Sequence, residues 1–230
     1  MTVKLIAVGV GPGDPELITL KALRRLREAE LVLVPLSRKG RSSVAQEIVS
    51  AHLDIDMLPF VFPMDGDDQV RTKAIADQIE TLRPLWQGRE TIALPVIGDA
   101  ALYATAAYLY DVWKGIEPDL SLELIPGVSA HSLAASRVGA FLALGEDRLA
   151  LLPGTGDLEG LTAALAACDV AALYKASALK EHLPSLVERT GPWKRMVRVE
   201  RAGLADERIL EGPAAAEATG EYLSTLLLWR

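Results

Sequence analysis

The segment VKLIAVGVGPGDPELITLKALRRLREAELVLVP, residues 3–35, constrains this chain more than any other. A short β-branched apolar run closes on glycines, and a charged stretch with leucines three residues apart follows. A second apolar run, LVLVP, then stops at Pro35. Buried strand, amphipathic helix and buried strand in that order read as a βαβ unit, whose two strands must be parallel. Leu17, Leu20, Leu23 and Leu26 give the helix its apolar stripe.

The alternation continues. A helix is expected over about 43–52, and a long one from DQVRTKAIADQIETLRPLW, ending near Pro84. TIALPVIGDA (91–100) reads as a strand and ALYATAAYLYDVWKG as a helix. GIEPD (115–119) is the best linker candidate. It divides the chain into an N-terminal α/β domain, 1–115, and a C-terminal α/β domain, 120–230. Beyond it, strands are expected at LSLELIPGV, RLALLPG, DVAALYKA, KRMVRVERAG and YLSTLLLW (222–229), with helices between the first four. The strand-rich ending implies a mixed sheet in the second half. The expected fold class is therefore α/β, with two α/β domains.

Composition excludes several functions. The net charge of −7 argues against a nucleic-acid partner, and no apolar run is long enough for a membrane helix. Without a secretory leader or disulfide pairs, a soluble cytoplasmic protein is expected. The single cysteine, Cys168, lies in an apolar run and reads as core. His52, His131 and His182 are scattered, and no metal-ligand or nucleophile–base spacing is visible.

The turn Gly9-Val10-Gly11-Pro12-Gly13-Asp14 sits where a strand hands over to a helix, the usual place to hold a ligand on backbone N–H groups. It fails both common phosphate patterns. Where the P-loop pattern ends in Gly-Lys-Ser/Thr this chain reads Asp-Pro-Glu, and Asp14 stands at the third glycine of the dinucleotide pattern. A tight turn capped by Asp14 is the plain structural alternative. A nicotinamide oxidoreductase would also want a carboxylate ending the second strand, where Pro35 stands.

GVGPGDPELITLKA resembles the N-terminal signature of the tetrapyrrole methylase family. Four more family-like segments follow in order: LPVIGDAALYAT (94–105), IPGVSAHSLAAS (125–136), ALYKA (172–176) and VERAGLADERI (199–209). The resemblance implies two α/β domains with S-adenosylmethionine in the cleft between them and S-adenosylhomocysteine as product. It also implies a small tetrapyrrole substrate and a homodimer, the apolar final strand counting toward the latter. The cofactor contacts map to Pro12, Ile97, Gly98, Asp99, Leu102, Ser129, Ala130, Lys175 and Ala202. A rigid Pro12 suits an apolar wall for adenosine and a thioether. Asp99 would pair with the cofactor's ammonium, with a helix N-cap as the alternative or additional role. Lys175 ends an apolar strand, where burying a lone ammonium is costly, and so reads as an anion or cofactor contact.

ELVLVPLSRKGRSS (30–43), FVFPM (60–64) and the Tyr-Lys pair are similar to the precorrin-2 C-20 methyltransferase branch, including members acting on the cobalt complex. That branch implies C-20 methylation of precorrin-2 or cobalt-precorrin-2 in cobalamin biosynthesis. The alternatives are another position in the same pathway or a cofactor-binding protein without activity. Candidate substrate contacts are Arg38, Lys39, Arg41, Met64, Tyr103 and His131; no catalytic residue is assigned. The chain departs from the family at Ala100, where Gly-Asp-Pro is usual, and at Ala104, where a serine is common.

Overall fold

The structure is a computed structural model that describes residues 3–37, 43–63 and 67–230. Its contacts divide the chain into two compact units, Met1–Ser129 and Ala130–Arg230.

The first unit runs β1 (Lys4–Gly9), α1 (Leu20–Glu28), β2 (Leu31–Leu36), α2 (Val44–Ser50), β3 (Leu58–Val61), α3 (Asp68–Thr81), α4 (Arg83–Trp86), β4 (Thr91–Val96), α5 (Ala106–Ile116) and β5 (Ser121–Ile125). Its strands form one parallel sheet in the order β3-β2-β4-β1-β5. β1 and β4 are central and covered on both faces, which is why their sequences are unbroken apolar runs rather than alternating ones. Leu5, Leu94, Phe60, Ile79, Trp86 and Trp113 fill one layer; Ile6, Val8, Leu26, Ile48 and Val49 fill another. Trp86 and Trp113 meet edge to face at 5.1 Å, and the Trp86 indole N–H donates to the Ile79 carbonyl.

Several boundaries differ from the sequence expectation. Pro15–Leu17 is a 3-10 turn capped by the Asp14 carboxylate, which accepts from the Glu16 N–H at 3.0 Å. α1 starts after a second cap, Thr19, so the four-leucine stripe does not form: Leu26 is buried, whereas Leu20 is 87% exposed. α3 ends at Thr81, and Pro84 sits in the first turn of α4, where its missing N–H costs nothing. Residues 101–105 form turns, not the first part of α5. GIEPD is not a boundary. The Glu117 N–H closes α5 onto Trp113, and β5 then pairs in parallel with β1, so the first unit extends to Ser129.

The second unit runs α6 (Ala130–Arg137), β6 (Leu149–Pro153), α7 (Leu158–Ala166), β7 (Val170–Tyr174), α8 (His182–Thr190), β8 (Arg195–Glu200), β9 (Arg208–Glu211) and β10 (Ser224–Trp229). The sheet order is β6-β7-β10-β8-β9, with β6 and β7 parallel and the remaining pairs antiparallel: a mixed sheet. β10 lies in its middle, so its apolarity is that of a central strand and not evidence for a subunit interface. Its inward leucines, Leu226 and Leu228, pack with Leu161, Leu173, Leu183 and Leu186. Cys168 is buried and donates to the Leu165 carbonyl, and burial pushes its thiol up, so it is inert core. Among the described residues, no helix is long and apolar enough to cross a membrane.

Candidate functional site

All five strands of the first sheet point the same way, so their C-terminal ends share one edge, where open parallel sheets hold ligands. The loops leaving β1, β4 and β5 are tied there by backbone contacts. Gly98 donates to the Gly11 carbonyl at 2.8 Å and Gly11 to the Gly98 carbonyl at 3.3 Å, an isolated antiparallel bridge. Both glycines have positive φ, +88° at Gly11 and +76° at Gly98. The third loop is closer still: a Cβ on Gly127 would stand 2.3 Å from the Gly98 carbonyl oxygen and 2.7 Å from the carbonyl carbon of Gly9. Only residues without a side chain let three backbones meet in this way.

Asp99 completes the knot. One carboxylate oxygen accepts from the Ala101 N–H at 2.8 Å, the other from the Gly127 N–H at 2.9 Å. Asp99 therefore caps a turn and joins the β4 and β5 loops; it is not the N-cap of α5, which starts seven residues later. The half-buried carboxylate keeps acceptor capacity for a further donor. Pro12 is buried between Gly11 and Gly13 and supplies a rigid apolar surface, while Ile97 is about one-third exposed. Leu102 and Ser129 are half-buried on the same loops. Ala100 packs into the core with Val96 and Leu109, so the family proline is replaced by a methyl group that is itself buried.

Tyr103 has φ of 51°, an unfavourable backbone for an aromatic residue. Its side chain is 42% exposed, and partial burial raises its phenol. An aromatic residue held in strain at the tip of a loop is a ligand-contact candidate on geometry as well as on resemblance.

In the second unit the mapped residues gather at the end of the sheet where β7 and β8 finish and β10 begins. Lys175 follows β7 with φ of 54°, and its ammonium lies 5.9 Å from the centre of the Tyr222 ring. Arg201, also with φ of 54°, follows β8 and precedes buried Ala202. Its N–H donates to the Leu223 carbonyl at 2.7 Å, just ahead of β10. His131, in the first turn of α6, places Nδ1 2.5 Å from the Tyr174 hydroxyl. Ala130, beside it, is half-buried. The sequence marks Tyr174 only as half of the Tyr-Lys pair and does not mark Arg201 or Tyr222, because nothing in it reveals a left-handed arginine or a tyrosine that bonds across elements. Arg38, Lys39, Arg41 and Met64 lie outside the described residues.

Known proteins resemble this chain along nearly its whole length. The family described as Tetrapyrrole (Corrin/Porphyrin) Methylases matches residues 4–217. A Methanocaldococcus jannaschii protein named probable cobalt-precorrin-2 C(20)-methyltransferase is 30% identical, over 99% of this chain and 96% of its own length. The precorrin-2 C(20)-methyltransferase of a Sinorhizobium species is also 30% identical, over 98% of this chain and 94% of its own. Among solved structures, a uroporphyrin-III C-methyl transferase from Thermus thermophilus in complex with S-adenyl homocysteine superposes with a TM-score of 0.71 at 20% identity, covering 99% of this chain and 97% of that one. The last comparison speaks to the fold; the family match and the two sequence relatives speak to descent. The chain belongs to the tetrapyrrole methylase family.

Proposed function

We propose that the protein transfers a methyl group from S-adenosylmethionine to C-20 of precorrin-2 or cobalt-precorrin-2 in cobalamin biosynthesis. The observation that carries the cofactor assignment is the charge of the knotted loops. Residues 10–14, 97–105 and 126–129 contain two carboxylates, Asp14 and Asp99, and no cation. A di- or triphosphate would be repelled there, whereas a cofactor carrying an ammonium and a sulfonium suits an acidic, largely apolar cradle. The substrate assignment rests on the two relatives named for C-20 methylation.

S-adenosylmethionine supplies an electrophilic methyl group on a sulfonium, so the chain's task is positioning rather than acid–base chemistry. Gly11, Gly98 and Gly127 let the backbone approach the ligand, and Pro12, Ile97 and Leu102 keep water from it. Asp99, fixed by the N–H groups of Ala101 and Gly127, orients the ammonium. Ser129, Ala130, Lys175 and Ala202 belong to the same proposed set. The substrate carries several carboxylates, which Arg38, Lys39 and Arg41 complement; Tyr103, Met64 and His131 complete the proposed substrate contacts. A homodimer in the cytoplasm belongs to this reading on the strength of the family resemblance.

Calorimetric titration with S-adenosylhomocysteine tests the cofactor assignment. Precorrin-2, with and without cobalt, is then supplied with S-adenosylmethionine and followed by mass and absorbance. Binding followed by gain of one methyl group is expected. No binding at millimolar ligand overturns the reading, and methylation at another carbon overturns its substrate half.

A further inference from the structure

Tyr174 is held at both ends. Its carbonyl accepts from the Gly154 N–H at 2.7 Å, and a Cβ on Gly154 would stand 2.7 Å from the carbonyl oxygen of Lys175, so the β6 loop presses directly on the end of β7. At the other end its hydroxyl meets His131 Nδ1 at 2.5 Å, with the two rings edge to face at 81°. The hydroxyl oxygen also accepts from the His131 backbone N–H at 3.4 Å, so the ring and the main chain of His131 both meet the phenol. One side chain thus spans from the strand end that presents Lys175 to the first turn of α6.

We infer that His131 and Tyr174 form a positioning pair for cofactor binding, acting through Nδ1 and the phenol. The inference rests on the cofactor reading above, which places Ala130 and Lys175, the immediate neighbours of the pair, in the proposed binding set. Lys175 sits in a left-handed conformation that an unconstrained lysine leaves readily. Fixing Tyr174 at its carbonyl and its hydroxyl holds that residue in place, and the same bond sets the height of the α6 N-terminus.

The position of the nitrogen supplies the test. Asparagine places an amide atom where Nδ1 stands, whereas glutamine reaches the place of Nε2. S-adenosylhomocysteine affinity is measured by calorimetry for the wild type, Tyr174→Phe, His131→Ala, His131→Asn and His131→Gln, with KM for S-adenosylmethionine and kcat on precorrin-2 beside it. Tyr174→Phe, His131→Ala and His131→Gln are expected to bind about tenfold more weakly, the upper range for one well-formed hydrogen bond. His131→Asn recovers most of the affinity, and the losses fall on KM rather than kcat. His131→Asn as weak as His131→Ala, or Tyr174→Phe binding like the wild type, overturns the inference. If Tyr174→Phe fails to fold, the three His131 variants still decide it. A wild type that does not bind S-adenosylhomocysteine overturns the cofactor reading itself, a different result from a variant series that binds uniformly.

Discussion

Gly127→Ala tests the backbone knot most directly. The new methyl would stand 2.3 Å from the Gly98 oxygen and 2.7–2.8 Å from the carbonyl of Gly9. All of these neighbours are backbone, so no side chain can swing away. The β5 loop must move by about an ångström to restore contact distance, which also stretches the 2.9 Å bond from Gly127 to Asp99. Overpacking of this kind costs about 1–3 kcal/mol, and loss of the hydrogen bond adds about 1 kcal/mol. For a unit of this size the sum lowers its melting temperature by about 6–12 °C. Gly115→Ala is the matched control: it adds the same methyl near the C-terminal end of α5, where nothing lies within 4 Å. Alanine there raises stability by up to about 1 kcal/mol through helix propensity alone. Thermal melting followed by circular dichroism, with S-adenosylhomocysteine titration of both variants, reads the difference. Gly127→Ala melting and binding like Gly115→Ala would show that the three loops do not meet as described, and the reasoning about the site would fall with them.

Three further outcomes are expected. Glu200 and Arg198 are 1% and 3% exposed, and Glu200 also accepts from Thr219 and pairs with Arg208. Glu200→Ala leaves the buried Arg198 guanidinium without its carboxylate, although Nη1 still donates to the Ala215 and Glu217 carbonyls, and should cost about 3–5 kcal/mol in denaturant unfolding, whereas a cost below about 1 kcal/mol means that water reaches the pair. Asp169 is pulled from 3.8 down to about 2 by the side-chain bonds of Arg148, then by the Arg148 N–H. Its folded value lies below its unfolded one, so its contribution is present above pH 3.8 and fades as pH falls toward 2. Asp169→Asn should be less stable than the wild type near neutrality and flatter across that acid window; the pair is exposed, so high salt should shrink the difference. Thr19→Ala removes the oxygen that accepts the Ala22 N–H at 3.1 Å and should cost about 1 kcal/mol, read as a lower melting temperature.

The order of elements was legible because parallel central strands leave an unmistakable record: unbroken apolar runs such as IAVGV and TIALPV, separated by amphipathic stretches. Short edge strands leave little. β3, LPFV, contains a proline, and β9, RILE, is flanked by charge and largely exposed; neither stands out in sequence. GIEPD has the composition of a linker because a helix ends there and a strand begins, and composition does not distinguish a turn within a sheet from a boundary between two. The start of α1 is not legible in the sequence because Asp14 and Thr19 are both good caps and the leucine spacing, from Leu17 to Leu26, continues across Thr19. At the site, Pro12, Gly98 and Asp99 could be singled out from the chain, but the bond from Asp99 to Gly127 spans 28 residues and the one from His131 to Tyr174 spans 43. Long-range pairings of this kind follow from sheet order, which periodicity does not encode.

Within each unit, backbone strain marks particular strand ends with a physical signature independent of resemblance. Among the described residues, four non-glycine positions have positive φ: Tyr103, Lys175, Lys180 and Arg201. Lys180 lies in the approach to α8, but the other three follow β4, β7 and β8 at ends the family segments also mark. Each left-handed residue of this kind costs about 1–3 kcal/mol, a cost that glycine would largely avoid. The chain does use glycine at Gly11 and Gly98, where the main chain itself makes the contact. At Tyr103, Lys175 and Arg201 it keeps a ring or a cation in spite of the backbone. The difference follows from what each position presents: backbone hydrogen bonds in the glycine knot, side-chain chemistry at the strained strand ends. At these three positions backbone stability is given up where a side chain has something to present: a ring at Tyr103, and cations at Lys175 and Arg201, the latter paired with Asp206.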